Sequence, residues 1–221
     1  MINIEKIEID VSNSGHLTNT YLIFDNKTNE AVLFDPADNS TKIIDRIKQL
    51  KLNIKYICIT HAHGDHFGAL EKVADYTKAD ILVHRNDYFS LIGRETSYSE
   101  ELGVGKQNLE GFNIIKIYDG YNFKVGDMNF EIIHTPGHTS GCICIYEKVS
   151  NSLFTGDTIF YDCYGRCDLY SASFDDMVSS IRKLFDRFDD ITIYPGHDKI
   201  VNISSAKKYI RMLMSMKNIK L

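Results

Sequence analysis

Tryptophan is absent, and proline occurs only three times in 221 residues. So little proline argues against a proline-rich or disordered segment. No stretch approaches ~18 consecutive apolar residues, so a membrane-spanning helix is not expected. No block of Lys and Arg occurs, and the formal net charge is −5. Nonspecific binding to nucleic acid is therefore not expected. The opening MINIEKIEID has neither the basic start nor the apolar run of an export signal, and a cytoplasmic location is expected. Cysteine is sparse and odd in number, at positions 58, 142, 144, 163 and 167, which argues for free thiols. Cys163 and Cys167 lack two further ligands nearby, so a metal clip there is not expected.

What is present is ordinary for a globular chain, 43% hydrophobic and 25% charged. The length allows one large domain with an ample core. Alternation or short apolar runs predict strands over 2–11, 19–24, 31–34, 56–59 and 81–83, then over 114–117, 122–125, 129–134, 141–146, 152–155 and 191–194. A 3.6-residue period in Ile43, Ile44, Ile47 and Leu50 predicts a helix capped by Asn39 or Ser40. Helices are also expected over 68–77, 174–188 and 204–216, with Ser173 and Asp176 as a capping box for the third. Each half reads as strands, then helix, then strand. One domain over 1–221 is expected, in two αβ halves of roughly 1–118 and 119–221. Two sheets should pack together with helices outside. Residues 86–111 are irregular and polar, a stretch long enough to suggest a functional lid.

Five of the eight histidines follow apolar strand patterns. The segment YICITHAHGDHFG delivers His61, His63, Asp65 and His66 within six residues. His61 and His63 can point the same way, as alternate residues of an extended chain do. Imidazole and carboxylate donors in two sets suit divalent zinc or iron, and two adjacent ions. His138 in TPGHTSG, Asp157 in TGDTIF and His197 in YPGHD come later, each directly after a glycine that permits a tight turn. Four strand ends delivering His and Asp to one rim would assemble a metal site from distant sequence. His16, His84 and His134 lack that context, and His134 is expected to be packed or to support a ligand.

The ordered motifs THAHGDH, TPGHTSG, TGDTIF and YPGH resemble the metallo-β-lactamase superfamily of hydrolases, from about Asn19 to His197. GDTIFYDCYGRCD is similar to its short glyoxalase II-like group, which carries a GRxD segment. The resemblance implies an α/β fold, a four-layer αββα sandwich with metals at the rim between two sheets. It implies a first metal on His61, His63 and His138, a second on Asp65, His66 and His197, and Asp157 bridging them. Zinc is the first choice for the two ions, with iron or manganese the alternatives. A bridging hydroxide, oriented by Asp65, would be the nucleophile, since two ions lower the pKa of water toward ~7. Asp35 matches a DP turn of the family and would fix a ligand in place. Arg166 and Asp168 match GRxD, as an ion pair ahead of a substrate contact. Tyr161 and Tyr164 are either pocket-lining or solvent-facing.

The resemblance implies hydrolysis of a small-molecule thioester such as S-lactoylglutathione. A mononuclear iron persulfide dioxygenase shares the GRxD group, and a lactonase or phosphodiesterase shares the fold. Full-length glyoxalase II enzymes carry a C-terminal helical domain that helps hold glutathione. The 24 residues after His197 make one helix. A weaker grip on the glutathione end is the expectation.

Overall fold

The computed structural model describes residues 1–221. Its elements run β1 (Ile2–Val11), β2 (His16–Asp25), β3 (Glu30–Phe34), α1 (Ser40–Leu50), β4 (Asn53–Ile59), α2 (Gly64–Phe67), α3 (Leu70–Thr77), β5 (Asp80–His84), α4 (Tyr88–Leu91) and β6 (Ile114–Ile117). They continue with β7 (Asn122–Val125), β8 (Met128–His134), β9 (Ile143–Glu147), β10 (Ser152–Gly156), α5 (Phe174–Arg187), β11 (Thr192–Pro195), β12 (Val201–Asn202) and α6 (Ile203–Met216).

Two six-stranded mixed sheets result, one in the order β1-β2-β3-β4-β5-β6 and the other β12-β11-β10-β9-β8-β7. In the first, β3, β4, β5 and β6 pair in parallel, and β1 and β2 are antiparallel additions. In the second, only β10 and β11 pair in parallel.

The period of two along each strand sorts the core into three layers. Ala31, Leu33, Ile57, Ile59, Ile81 and Val83 face α1 and α3, where Ile43, Ile47, Leu70 and Val73 meet them. The residues between them, Val32, Phe34, Cys58 and Leu82, face Phe130, Ile132, Ile143, Ile145 and Phe154 of the other sheet. That sheet's outer face carries Ile133, Cys144, Leu153 and Ile193 against Met177, Ile181 and Leu184 of α5 and Ile210 and Met214 of α6. The molecule is therefore an αββα sandwich.

The caps match the residue types that make them. Asn39 accepts from Lys42 N at the start of α1, and Ser173 accepts from Asp176 N at the start of α5. Three sequence readings need correction. Gly64–Phe67 is a helical turn rather than loop, because His66 N bonds back to His63 O. The strand expected at 141–146 begins only at Ile143, because Ser140 and Gly141 form a turn. Segment 86–111 contains the short helix α4. All five cysteines are free, and Cys58, Cys142 and Cys144 are buried. No helix is long and apolar enough to cross a membrane.

Candidate metal centre

The rim where the two sheets meet collects side chains from four strand ends. After β4 the chain bends at Thr60 and His61, and His63 is extended, with φ −88° and ψ 143°. His61 Nε2 then lies 3.2 Å from His63 Nδ1. The turn of α2 presents Asp65 and His66. His138 follows β8, Asp157 follows β10, and His197 follows β11.

The preceding glycines act in two ways. Gly156 has φ 46°, a left-handed backbone that favours glycine, so Asp157 turns in sharply after β10. Gly196 adopts no positive φ and is needed for room. A Cβ there would collide with Asp157 Oδ1 and stand 2.7 Å from His66 Cε1.

Nearly every imidazole has its outward nitrogen tied. His66 Nδ1 lies 2.9 Å from Asp35 Oδ2, His138 Nδ1 lies 2.8 Å from Arg166 O, and His197 Nδ1 lies 2.7 Å from Leu17 O. Thr60 Oγ1 donates to Asp35 Oδ2, so it can accept only from His61 Nδ1, 3.2 Å away. These contacts set the tautomers and leave His61, His66, His138 and His197 each with Nε2 facing inward.

The inward atoms cluster. Asp157 Oδ1 is 3.4 Å from His66 Nε2, and Asp157 Oδ2 is 3.5 Å from His138 Nε2 and 3.3 Å from His197 Nε2. Asp65 Oδ2 is 3.4 Å from His197 Nε2 and 3.6 Å from His66 Nε2. His66 Nε2, His138 Nε2 and Asp157 Oδ1 are buried without a hydrogen-bond partner. Buried polar atoms are rarely left unpaired. Donors about 2.0–2.1 Å from a tetrahedral zinc would stand roughly 3.3–3.4 Å apart, close to these spacings. The residues fit a metal, and their donor atoms fall into three overlapping candidate groups: His61 with His63 and His138, His61 with His66 and Asp157, and His16 with Asp65 and His197.

The two ends of the cluster differ electrically. Burial and neighbouring imidazoles push His61 well below its ordinary range and His63 down to about 3. Burial also opposes charge on His66 and His197, but the carboxylates facing them win. Asp65, Asp157 and Asp35 raise His66 to about 9, and Asp157 and Asp65 raise His197 to about 10. Burial works against ionised Asp157 as well, yet the His197 and His66 rings hold it well below the usual carboxylate range. At one end the charged forms of His61 and His63 are disfavoured, and the other end pairs imidazoles with carboxylates.

A cavity of about 450 Å³ opens over the cluster. Tyr98, Leu102, Phe160, Tyr164 and Leu169 are its apolar walls, with Glu101 and Arg166 at its edge. Segment 86–111 thus supplies Tyr98, Glu101 and Leu102. Tyr98 packs against His63 at 5.5 Å between ring centroids, and its hydroxyl accepts from Tyr170 N.

All seven residues singled out as ligands meet here. Asp35 touches His66 and also accepts from Thr60 N. Arg166 and Asp168 form a doubly hydrogen-bonded, exposed ion pair. Tyr164 lines the cavity. Tyr161, left open between pocket-lining and solvent-facing, does not: its hydroxyl bonds Tyr209 of α6, and Lys199 Nζ sits 3.5 Å over its ring. His134 stacks on His84 at 4.0 Å and brings no donor to the cluster.

Sequence reasoning missed three contributors. His16 Nε2 lies 2.9 Å from Asp65 Oδ2. Arg166 contributes its carbonyl rather than its charge. Asp87 accepts from Ala62 N and Thr139 Oγ1, both at 2.8 Å, joining the His61–His63 segment to the His138 loop. The missed signal for His16 is its place at the start of a strand. Because β2 runs antiparallel to β3, its beginning lies at the rim where β3 and β4 end.

A model of the metallo-β-lactamase superfamily matches residues 14–197. The chain belongs to the metallo-β-lactamase superfamily. As a member it is a metal-dependent hydrolase, with the His/Asp groups above as candidate metal donors. It is 33% identical over 211 residues to the hydroxyacylglutathione hydrolase GloC of Haemophilus influenzae, covering 94% of this chain and 96% of that protein. This agrees with the glyoxalase II-like group. The metallo-β-lactamase domain also superposes on the B3 metallo-β-lactamase BLEG-1 with TM-score 0.86 at 25% identity, covering 96% and 99% of the two chains. TTHA1623, solved in a di-iron-bound form, superposes with TM-score 0.81 at 22% identity over 94% and 99%.

Proposed function

We propose that this protein is a binuclear metallohydrolase acting on a small-molecule thioester, with S-lactoylglutathione as a substrate. The observation that carries the binuclear reading is the unpaired, buried trio of His66 Nε2, His138 Nε2 and Asp157 Oδ1. His61, His63 and His138 would hold one ion, and Asp65, His66 and His197 the other. Asp157 would serve both, since its oxygens stand 3.5 Å from His138 Nε2 of the first set and 3.4 Å and 3.3 Å from His66 Nε2 and His197 Nε2 of the second. Zinc fits the imidazole and carboxylate donors and their spacing. When bound, such a pair supplies Lewis acidity and lowers the pKa of water toward ~7.

The chain's own residues do the rest. Asp65 lines the cavity, and its carboxylate can accept a hydrogen bond from an incoming water, fixing its approach. Its carboxyl is held below its usual range, against burial, by His66 and His16. It therefore orients a proton better than it removes one. Tyr98, Leu102, Phe160, Tyr164 and Leu169 exclude bulk water and receive the apolar part of the substrate. Arg166 is the one cationic side chain other than histidine on the lining, and Asp168 already engages it. Glu101 adds a negative charge. A thiol carrier that presents two carboxylates, as glutathione does, would be held weakly. The 33%-identical hydroxyacylglutathione hydrolase supports the substrate class.

The test is elemental analysis of protein purified without added metal, with S-lactoylglutathione hydrolysis followed in air and under argon. Two ions per chain and equal thiol release in both atmospheres, with a high KM, are expected. A single iron, with oxygen consumed on glutathione persulfide and the thioester intact, would replace this reading with a persulfide dioxygenase. Activity on lactones or phosphodiesters alone would overturn the thioester assignment.

A further inference from the structure

At the carboxylate-rich end of the cluster, the position of Asp65 rests on the first residues of β2. His16 Nε2 lies 2.9 Å from Asp65 Oδ2, and Thr18 Oγ1 donates to the same oxygen from 3.3 Å. Between them, Leu17 O accepts from His197 Nδ1 at 2.7 Å. Three consecutive residues thus hold two of the three donors assigned to the second ion. The His16 ring also lies beside that of His197, with 4.8 Å between centroids. The segment that does this is itself fixed. Gly15 N bonds Asp10 Oδ1, His16 N bonds Ser14 Oγ, and the β1–β2 ladder pairs Val11 with His16.

We propose that His16 is the positioning residue of the second metal subsite: its Nε2–H donates to Asp65 Oδ2 and locks that carboxylate in the orientation in which it meets His66 and His197. The inference rests on the binuclear reading above. The chemistry favours a donor at this place. Asp65 Oδ2 stands within 3.6 Å of two imidazole nitrogens, and a carboxylate left to rotate would trade those positions for solvent. A ligand carboxylate restrained by hydrogen bonds binds its ion more tightly, and loss of such a partner typically costs about 10–100-fold in metal affinity. His16 acts on the second ion alone. The first subsite's donors are held instead by Thr60, Asp87 and the Arg166 carbonyl.

The experiment is a metal titration of apo-protein against a competing chelator, with zinc and then cobalt, on wild type, His16→Ala and His16→Gln. His16 is partly exposed, with 46% of its side chain accessible, so neither change opens a core cavity. Wild type should take up two ions. His16→Ala should keep the first at wild-type affinity and lose the second by about 10–100-fold, with the second cobalt absorption band shifted or missing. His16→Gln, whose amide nitrogen can still donate to Asp65, should recover most of the loss. Wild-type affinity and spectrum for both ions in His16→Ala would overturn the proposal, and so would equal loss of both ions or failure of glutamine to rescue. Fewer than two ions bound by wild type would instead remove the binuclear reading, and this inference with it.

Discussion

His66 Nδ1 and Asp35 Oδ2 lie 2.9 Å apart, and both side chains are buried. Asp35 makes this contact from a left-handed backbone, φ 48°, an uncommon conformation for a residue with a Cβ. The same carboxylate accepts from Thr60 N and Thr60 Oγ1. One side chain therefore ties the end of β3 to the end of β4 and sets the tautomer of His66.

Asp157→Ala should be more damaging than Asp35→Ala. Asp157 is the only carboxylate facing both ends of the cluster, and its removal should abolish activity and uptake of both ions. Asp35→Ala should weaken one ion by about 10–100-fold, because it acts through His66. It should also lower stability by about 1–3 kcal/mol, since Thr60 N loses a buried acceptor. Metal titration and urea unfolding measure the two effects. Equal losses from the two changes would refute the bridging assignment.

Asp87→Ala should act on the other end. Ala62 lies between His61 and His63, Thr139 follows His138, and Asp87 Oδ2 holds both. Releasing them should let the three imidazoles drift apart and weaken the first ion preferentially. Leaving Ala62 N unpaired should cost about 1–3 kcal/mol. Asp87→Asn keeps an acceptor oxygen and should fall between wild type and Asp87→Ala. Unchanged first-ion affinity in Asp87→Ala would count against the role.

Gly196→Ala should empty the site while leaving the fold. The added methyl would push on Asp157 Oδ1 and His66 Cε1, atoms that cannot retreat without leaving the cluster. Gly105→Ala is the control, since nothing lies within 4 Å of its Cβ position. Circular dichroism and metal content distinguish lost binding from lost folding. Normal metal content in Gly196→Ala would show that the cluster yields more easily than its packing implies.

The metal-free protein should be most stable near neutral pH. His66, at about 9, and His197, at about 10, hold their protons more tightly folded than unfolded. Their stabilisation is complete below the unfolded value of about 6.5 and is lost as pH rises through the folded values. His63, at about 3, and His84, pushed to about 4 by burial and by His134, behave oppositely. They destabilise the fold as pH falls below about 6.5, where the unfolded chain takes up their protons. Urea midpoints of chelator-treated protein should therefore peak at about pH 6.5. A midpoint still rising toward alkaline pH would contradict the charges assigned to His66 and His197.

Much of this molecule is determined by local sequence. The alternation in AVLF and YICI fixes which face of each strand meets the helices and which meets the opposite sheet. Asn39 and Ser173 fix helix starts because their side chains can accept from the backbone three residues on. The spacing of THAHGDH puts His61, His63, Asp65 and His66 within one turn of chain, so four donors were legible before any fold was known. Only the tertiary structure decided which atoms hold those donors. Strand pairing brings His16, forty-nine positions from Asp65, to hydrogen-bonding distance of it. The loop after β10 folds back so that a bare carbonyl, that of Arg166, fixes His138. Neither contact leaves a local pattern. A backbone carbonyl has no side-chain signature, and an antiparallel strand delivers its first residue, not its last, to the rim where parallel strands end.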